Sequence, residues 1–232
     1  MAESTILAKM AALSESLSED GFDDLPDLGL YMDQVTGYLN RRLRQLTVGG
    51  EEAPLTPNMI NNYVKSGHIS RPVHKKYSRE QIGALYMLCS LKKNLSIPDA
   101  AALIYFMTAE AGPRVAYERF AAAQKEAMDA VCARIRALPE ERSNEALTAL
   151  AADLIQHACA ERLAAEALIA YLTVNDAAKG APRPAKGAAK AAARTTTGKA
   201  DGAARAAAGE TGSAPGGGRA EAPEEESGES EG

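Results

Sequence analysis

Residues 56–67 read TPNMINNYVKSG, and the reading of this stretch decides the architecture. A threonine followed by proline is a helix start. The Thr56 hydroxyl can accept from a first-turn N–H that has no helical partner, and Pro57 lacks the N–H that would go unused there. Gly67 suits a left-handed cap at the other end. At 100° per residue, Met59, Ile60, Tyr63 and Val64 share one face, and Asn58, Asn61, Asn62 and Lys65 share the other. The apolar face can seat the helix on a core. The polar face carries a cost, because asparagine is a poor helix former at exposed interior positions. One account is chemical: a side-chain amide donates and accepts at once, which matches the N6 and N7 edge of adenine in the DNA major groove, while Lys65 can reach guanine acceptors or a phosphate. The other account is an ordinary polar face on a short helix.

Working outward, HISRPVHKKY at 68–77 is too short for a helix and contains Pro72. Two short strands, 68–71 and 74–77, joined by a tight turn fit it. Arg71, His74, Lys75, Lys76 and Arg79 crowd into nine residues. They make either a wing whose charges straddle a phosphate backbone and position the preceding helix, or a solvated basic loop. Tyr77 is expected to pack as a wedge. Ser78 and Gln81 form a capping-box pattern and open a helix with Ile82, Leu85, Tyr86 and Cys89 on its apolar face. Ser96 and Asp99 repeat the pattern before a helix carrying Ile97, Ala100, Ala101, Ile104 and Met107, which Gly112 and Pro113 close. Upstream, Met32, Val35, Leu39 and Leu43 give 32–46 helical spacing, with Arg41, Arg42 and Arg44 on its other face.

Beyond Pro113 the pattern predicts two long helices. The first, 114–138, has a stripe of Tyr117, Phe120, Met128, Val131, Ile135 and Leu138 that passes through Gln124. The second, 141–174, has Leu147, Ala151, Leu154, Ala158, Ala165, Leu168 and Leu172 at three- and four-residue steps. Each must bury its stripe, against the other in a hairpin or against a second subunit in a coiled-coil-like contact. A short amphipathic helix is expected at 6–17. From Lys179 on, the chain is rich in Ala, Gly and Pro and has no aromatic residue; such a composition does not support a packed core. Its bases precede its acids, so its first half could touch phosphates much as a polycation does.

The 232-residue chain carries a formal net charge of −5, but unevenly. Residues 1–33 hold eight acids and one base, whereas 56–93 hold seven bases and one acid. Local charge governs an encounter with nucleic acid more than the total does. Cys89, Cys132 and Cys159 are far apart and lie in apolar helical patterns, so buried free thiols are expected, with no disulfide framework and no metal site. The N-terminus lacks a basic start and a long apolar stretch, and no apolar run approaches 18 residues; a cytoplasmic protein, nucleoid-associated if it binds DNA, follows as the expectation. HExxH, GxSxG and a glycine-rich phosphate loop are all missing. No enzymatic activity and no cofactor are expected.

Several of these motifs together resemble a family. LPDLGLYMDQVTGYL, LTPNMINNYVKSGHISRPVHKKYSREQI and LKKNLSIPDAAALI, spanning about residues 25–107, resemble the bacterial family known as domain of unknown function 1836. The order of helix, wing and two Ser-capped helices also looks like the MerR-type winged helix-turn-helix. That resemblance implies that helix 57–66 enters the major groove, with Asn58, Asn61, Asn62 and Lys65 facing bases and Arg71, Lys75 and Lys76 facing phosphates; the crowding of basic residues adds His74 and Arg79 as phosphate-contacting candidates. The joint before that helix, GGEEAP, is longer than the tight turn of MerR proteins.

The sequence thus predicts an all-α fold with a small β wing: an N-terminal helix and acidic linker (1–24), a MerR-like DNA-binding domain (25–112), a helical hairpin or dimerisation region (113–177) and a disordered charged tail (178–232). Double-stranded DNA and a second copy of the chain are the expected partners, with no membrane. An unidentified small-molecule or protein effector has room in the scheme but no residue pattern to name it. The competing expectation is a non-enzymatic adaptor that presents the same helices to a protein partner.

Overall fold

A computed structural model describes residues 2–18, 21–44, 46, 54–138 and 143–178. The expected charged tail lies outside the described residues, Ala178 apart. Six helices and one two-stranded antiparallel sheet make up the described residues: α1 (Ala2–Ser18), a 3-10 turn (Phe22–Asp24), β1 (Leu30–Tyr31), α2 (Met32–Arg44), α3 (Pro57–Lys65), β2 (Lys76–Tyr77), α4 (Arg79–Leu91), α5 (Ile97–Arg136) and α6 (Asn144–Ala178).

The helix starts follow the capping chemistry. Thr56 accepts from Met59 N at 3.3 Å, with Pro57 at the first helical position. Ser78 and Gln81 cap α4 reciprocally, and Ser96 accepts from Asp99 N at 3.2 Å at the head of α5. Gly67 adopts φ 75°, the left-handed conformation that ends α3 and that a Cβ would disfavour. Gly112, at φ 79° and ψ 162°, breaks α5 into two segments, and Pro113 restarts the second.

The core lies around α4. Ile82, Leu85, Tyr86 and Cys89 are buried as the periodicity requires, and Met87 and Leu88 are buried as well, so α4 is enclosed on nearly every side. Val35, Leu39 and Leu43 of α2 and Ile60 and Tyr63 of α3 close over it. From the other side come Ala100, Ala101 and Ile104 of the first segment of α5 and Tyr117 of the second. Gly83 of α4 allows this closeness, since a Cβ there would sit 3.2 Å from both Leu25 Cδ1 and Tyr117 Cδ2. Phe22 packs edge-on against Tyr117 at 5.9 Å, so the core reaches past both ends of the span 25–112.

Three details depart from the sequence reading. First, residues 68–71 form no strand. The His68 and Ile69 N–H groups both donate to Tyr63 O, which ties this segment to the end of α3. The partner of β2 is instead β1, with Leu30 opposite Tyr77 and Tyr31 opposite Lys76. Second, the inward face of α6 is rotated from the expected stripe. Ile169 is buried against Ala102, Leu103 and Phe106, while Leu168 is 64% exposed. Third, Cys159 is exposed, whereas Cys89 and Cys132 are buried.

Candidate nucleic-acid interface

The polar face of α3 is outward. Asn58, Asn61, Asn62 and Lys65 are all exposed, and no hydrogen bond or ion pair to another described residue engages their side chains. Ile60 and Tyr63 are buried, and Met59 and Val64 pack partly buried against the same core. Burial pushes the Tyr63 phenol up to about 12, so it stays protonated at any physiological pH. The helix is therefore held from one side, with a row of amides and one ammonium left facing solvent.

Two side chains hold the segments that flank α3, and the sequence named only one of them, Gln81, through its capping pattern. Asn40 of α2 donates from Nδ2 to Leu55 O at 2.9 Å and accepts from Leu55 N at 2.7 Å. This two-bond clamp fixes the chain one residue before the Thr56 cap, and Leu55 is itself buried. The polar position Asn40 sits beside the apolar stripe of α2, and that was its only available signal. Gln81 has two jobs. Its Oε1 accepts from Ser78 N at 2.9 Å as the capping box requires. Its Nε2 donates to Ser70 O at 2.9 Å, Ser70 Oγ at 2.9 Å and Arg71 O at 3.0 Å, which binds the base of the basic turn to α4.

The basic turn itself is tight. Lys76 N donates to Val73 O at 2.9 Å, and His74 and Lys75 between them have φ 50° and 62°. Two consecutive left-handed residues match the type I′ geometry whose twist suits a hairpin, usually built from Asn and Gly. Here the positions go to His74 and Lys75, a local backbone cost held in place by the β1–β2 pairing. Gly29 allows that pairing to close, because a Cβ there would lie 3.1 Å from Lys76 Cβ.

The five basic side chains at the turn do not have equal freedom. Arg71, His74 and Lys75 are exposed, and no interaction among described residues engages them. Lys76 is exposed too, but its ammonium lies 5.2 Å over the Tyr31 ring. Arg79 is half-buried and turned back into the fold. It meets Asp23 at 3.0 Å and Asp27 at 3.9 Å, with its guanidinium over the Phe22 ring. Arg114 also grips Asp23 at 2.7 Å, and that hydrogen bond holds the Asp23 carboxyl below its usual range. The acidic linker is thus partly neutralised by Arg79 and Arg114. On α2, Arg41 and Arg44 are exposed, while Arg42 is held against the Tyr38 hydroxyl at 2.6 Å and over the Tyr86 ring.

Behind the turn lies an open cavity of about 330 Å³, bordered by His68, Gln81, Met87, Ile104, Tyr105 and Thr108 among others. Burial holds the His68 imidazole below its ordinary value, in favour of the neutral ring. Among the described residues no group of three or more His, Cys, Asp or Glu is placed to hold a metal. No described helix is long and apolar enough to cross a membrane.

Taken together, fold and surface define a helical domain that presents one amide-rich helix beside a short basic hairpin turn. Residues 21–120 of the chain match the family model described as Domain of unknown function (DUF1836). No curated protein and no solved structure is significantly similar to the chain. The matched span takes in Phe22, Tyr117 and Phe120, the residues that complete the core outside 25–112.

Proposed function

We propose that this chain is a DNA-binding transcriptional regulator with a MerR-like winged helix-turn-helix arrangement, in which α3 enters the major groove. The observation that carries the reading is the outward, unengaged row of Asn58, Asn61, Asn62 and Lys65 on a helix anchored entirely from its other face. The amides read base edges, and Lys65 reaches guanine acceptors or the backbone. Arg71, His74 and Lys75 contact phosphates and set the register, with Lys76 contributing once its ammonium leaves Tyr31. Arg79 supports the turn from inside through Asp23 and Asp27 rather than reaching the backbone. A helix of this length covers only a few base pairs, so two copies on adjacent half-sites supply useful specificity. DNA as partner places the protein in the cytoplasm, at the nucleoid.

The roles separate experimentally. Asn62→Ala weakens preference for a selected site by about 1–3 kcal/mol and leaves non-specific binding in place. Lys75→Ala weakens binding to all duplexes similarly and reduces the salt slope by about one. Equal effects of both variants on specific and random DNA refute the assignment.

A second reading, a protein adaptor, has one observation in its favour. Leu28, Tyr31 and Val73 are 77%, 52% and 70% exposed around the small sheet, an apolar margin suited to a protein partner. A partner that co-purifies and survives nuclease treatment favours the adaptor over DNA.

A further inference from the structure

Helix α6 exposes the wrong side for a solvated helix. Leu163, Leu168, Tyr171 and Val174 are 59%, 64%, 65% and 60% exposed. With Ala160, Ala164 and Ala167 they recur at three- and four-residue steps, which places them on one continuous stripe. The charged residues of 158–178 are Glu161, Arg162, Glu166 and Asp176. By the same periodicity exposed Glu161 borders the stripe, seven residues from Leu168, and Arg162, Glu166 and Asp176 lie in the half of the helix that carries Ile169. Arg162 and Glu166 pair with each other there, part-buried. Three of the four charges are therefore set on the α5 side, and the outward apolar stripe has one, Glu161, at its margin.

The segment after α6 offers no large apolar side chain to cover it. Residues 179–232 contain no Leu, Ile, Val, Met or aromatic side chain. The stripe is, however, complementary to itself. In an antiparallel pair crossing at Ala167, Ala160 faces the partner's Val174 and Leu163 faces the partner's Tyr171. Ala167 then meets the partner's Ala167 at the two-fold axis, where small side chains let the backbones approach. A parallel pair instead stacks Tyr171 on the partner's Tyr171, leaves alanine opposite alanine elsewhere and aligns the two helix dipoles unfavourably. Contact over 156–178 runs for about 34 Å of helix, on the scale of the roughly 800 Å² per partner that a stable interface buries.

We infer that the outward stripe of α6 is the dimer interface of this protein, an antiparallel two-fold helix pair centred on Ala167 with a second copy of the chain as its occupant. It names the surface of the dimer that the DNA-binding reading calls for, and its own evidence does not depend on DNA.

The full chain is measured by light scattering from about 1 to 100 μM, a range that brackets micromolar dimers. A dimer is expected. Leu163→Glu and Tyr171→Glu each weaken it by about a hundredfold or more, because each buries an unpaired charge, and both keep the helical circular dichroism of the parent. Mild oxidation supplies a register check. The Ala167→Cys variant, in a Cys159→Ser background, forms a symmetric intermolecular disulfide, since on the two-fold axis its α-carbons fall within bridging range. Native Cys159 does not, because the antiparallel register separates the two copies of Cys159 by about 24 Å along the helix. A monomer at every concentration, dimers that survive both charge variants, or cross-linking through Cys159 as readily as through Ala167→Cys overturns the inference. A dimer with this register that binds no DNA supports the surface and removes the regulator reading. A monomer that binds DNA removes the surface alone.

Discussion

Replacing Gln81 by glutamate separates the two tasks of that side chain. A carboxylate at this position still accepts from Ser78 N, so the cap of α4 survives. What disappears are the donors that reach Ser70 O, Ser70 Oγ and Arg71 O, and a negative charge now faces those oxygens. Two amide N–H groups contribute roughly 1 kcal/mol each when buried, and Gln81 is only 9% exposed. Ser70 and Arg71 are exposed, so their own polar groups recover water and the cost does not run higher. The expected loss is about 2–3 kcal/mol at pH 7, read as a lower urea midpoint at unchanged slope. The acceptors facing the introduced carboxyl disfavour its charged form, which raises its folded pKa above the unfolded value of about 4.3. The charge-dependent part of the deficit is therefore complete above the folded pKa, shrinks as pH falls through it, and is gone below about 4.3. Paired urea titrations of parent and variant at pH 7 and pH 4.5 test this. A loss below about 0.5 kcal/mol at pH 7 refutes the tether, since even one lost hydrogen bond costs that much. A deficit that does not narrow with acid refutes the geometry assigned to it.

Other consequences are simpler. Asn40→Ala removes both bonds to the buried Leu55 backbone and costs about 2–3 kcal/mol in urea denaturation; a loss under 0.5 kcal/mol, within the scatter of surface substitutions, contradicts the clamp. Gly83→Val drives side-chain atoms into Leu25 and Tyr117 and destabilises by about 1–3 kcal/mol, so an unchanged midpoint contradicts the close approach. Because burial depresses the His68 pKa, the unfolded chain takes up its proton first. Stability from this group is complete above about 6.5 and declines as pH falls from there towards the folded pKa. His68→Gln flattens the part of the pH 5–7.5 stability profile that His68 causes, and identical profiles for parent and variant sink the assignment.

Where local chemistry decides, the sequence was informative. The caps at Thr56, Ser78 and Ser96, the left-handed Gly67, the break at Gly112 and the buried face of α4 each follow from residue type and spacing within a few positions. Long-range pairing was not legible. Nothing within 68–77 says that β2 pairs with Leu30–Tyr31 instead of folding back on 68–71, because that choice depends on where β1 is delivered by the Phe22 turn and α2. The rotation of α6 escaped for a related reason. Its apolar residues encircle the helix, so periodicity cannot choose between Leu168 and Ile169 for the inner side. Within the candidate interface, the outward Asn and Lys row of α3 was readable from its period. The inward commitment of Arg79 was not, since its partners Asp23 and Asp27 lie more than fifty residues earlier. Charge crowding alone made Arg79 look equivalent to Lys75.

Selection of duplex DNA from a random pool by the purified full-length chain, repeated at several salt concentrations, bears most directly on the role given to α3. The account predicts enrichment of a short adenine-containing motif in two copies related by a two-fold, with affinity falling as salt rises and with the enrichment lost in Asn62→Ala. Recovery of a pool indistinguishable from the input at every salt concentration contradicts it.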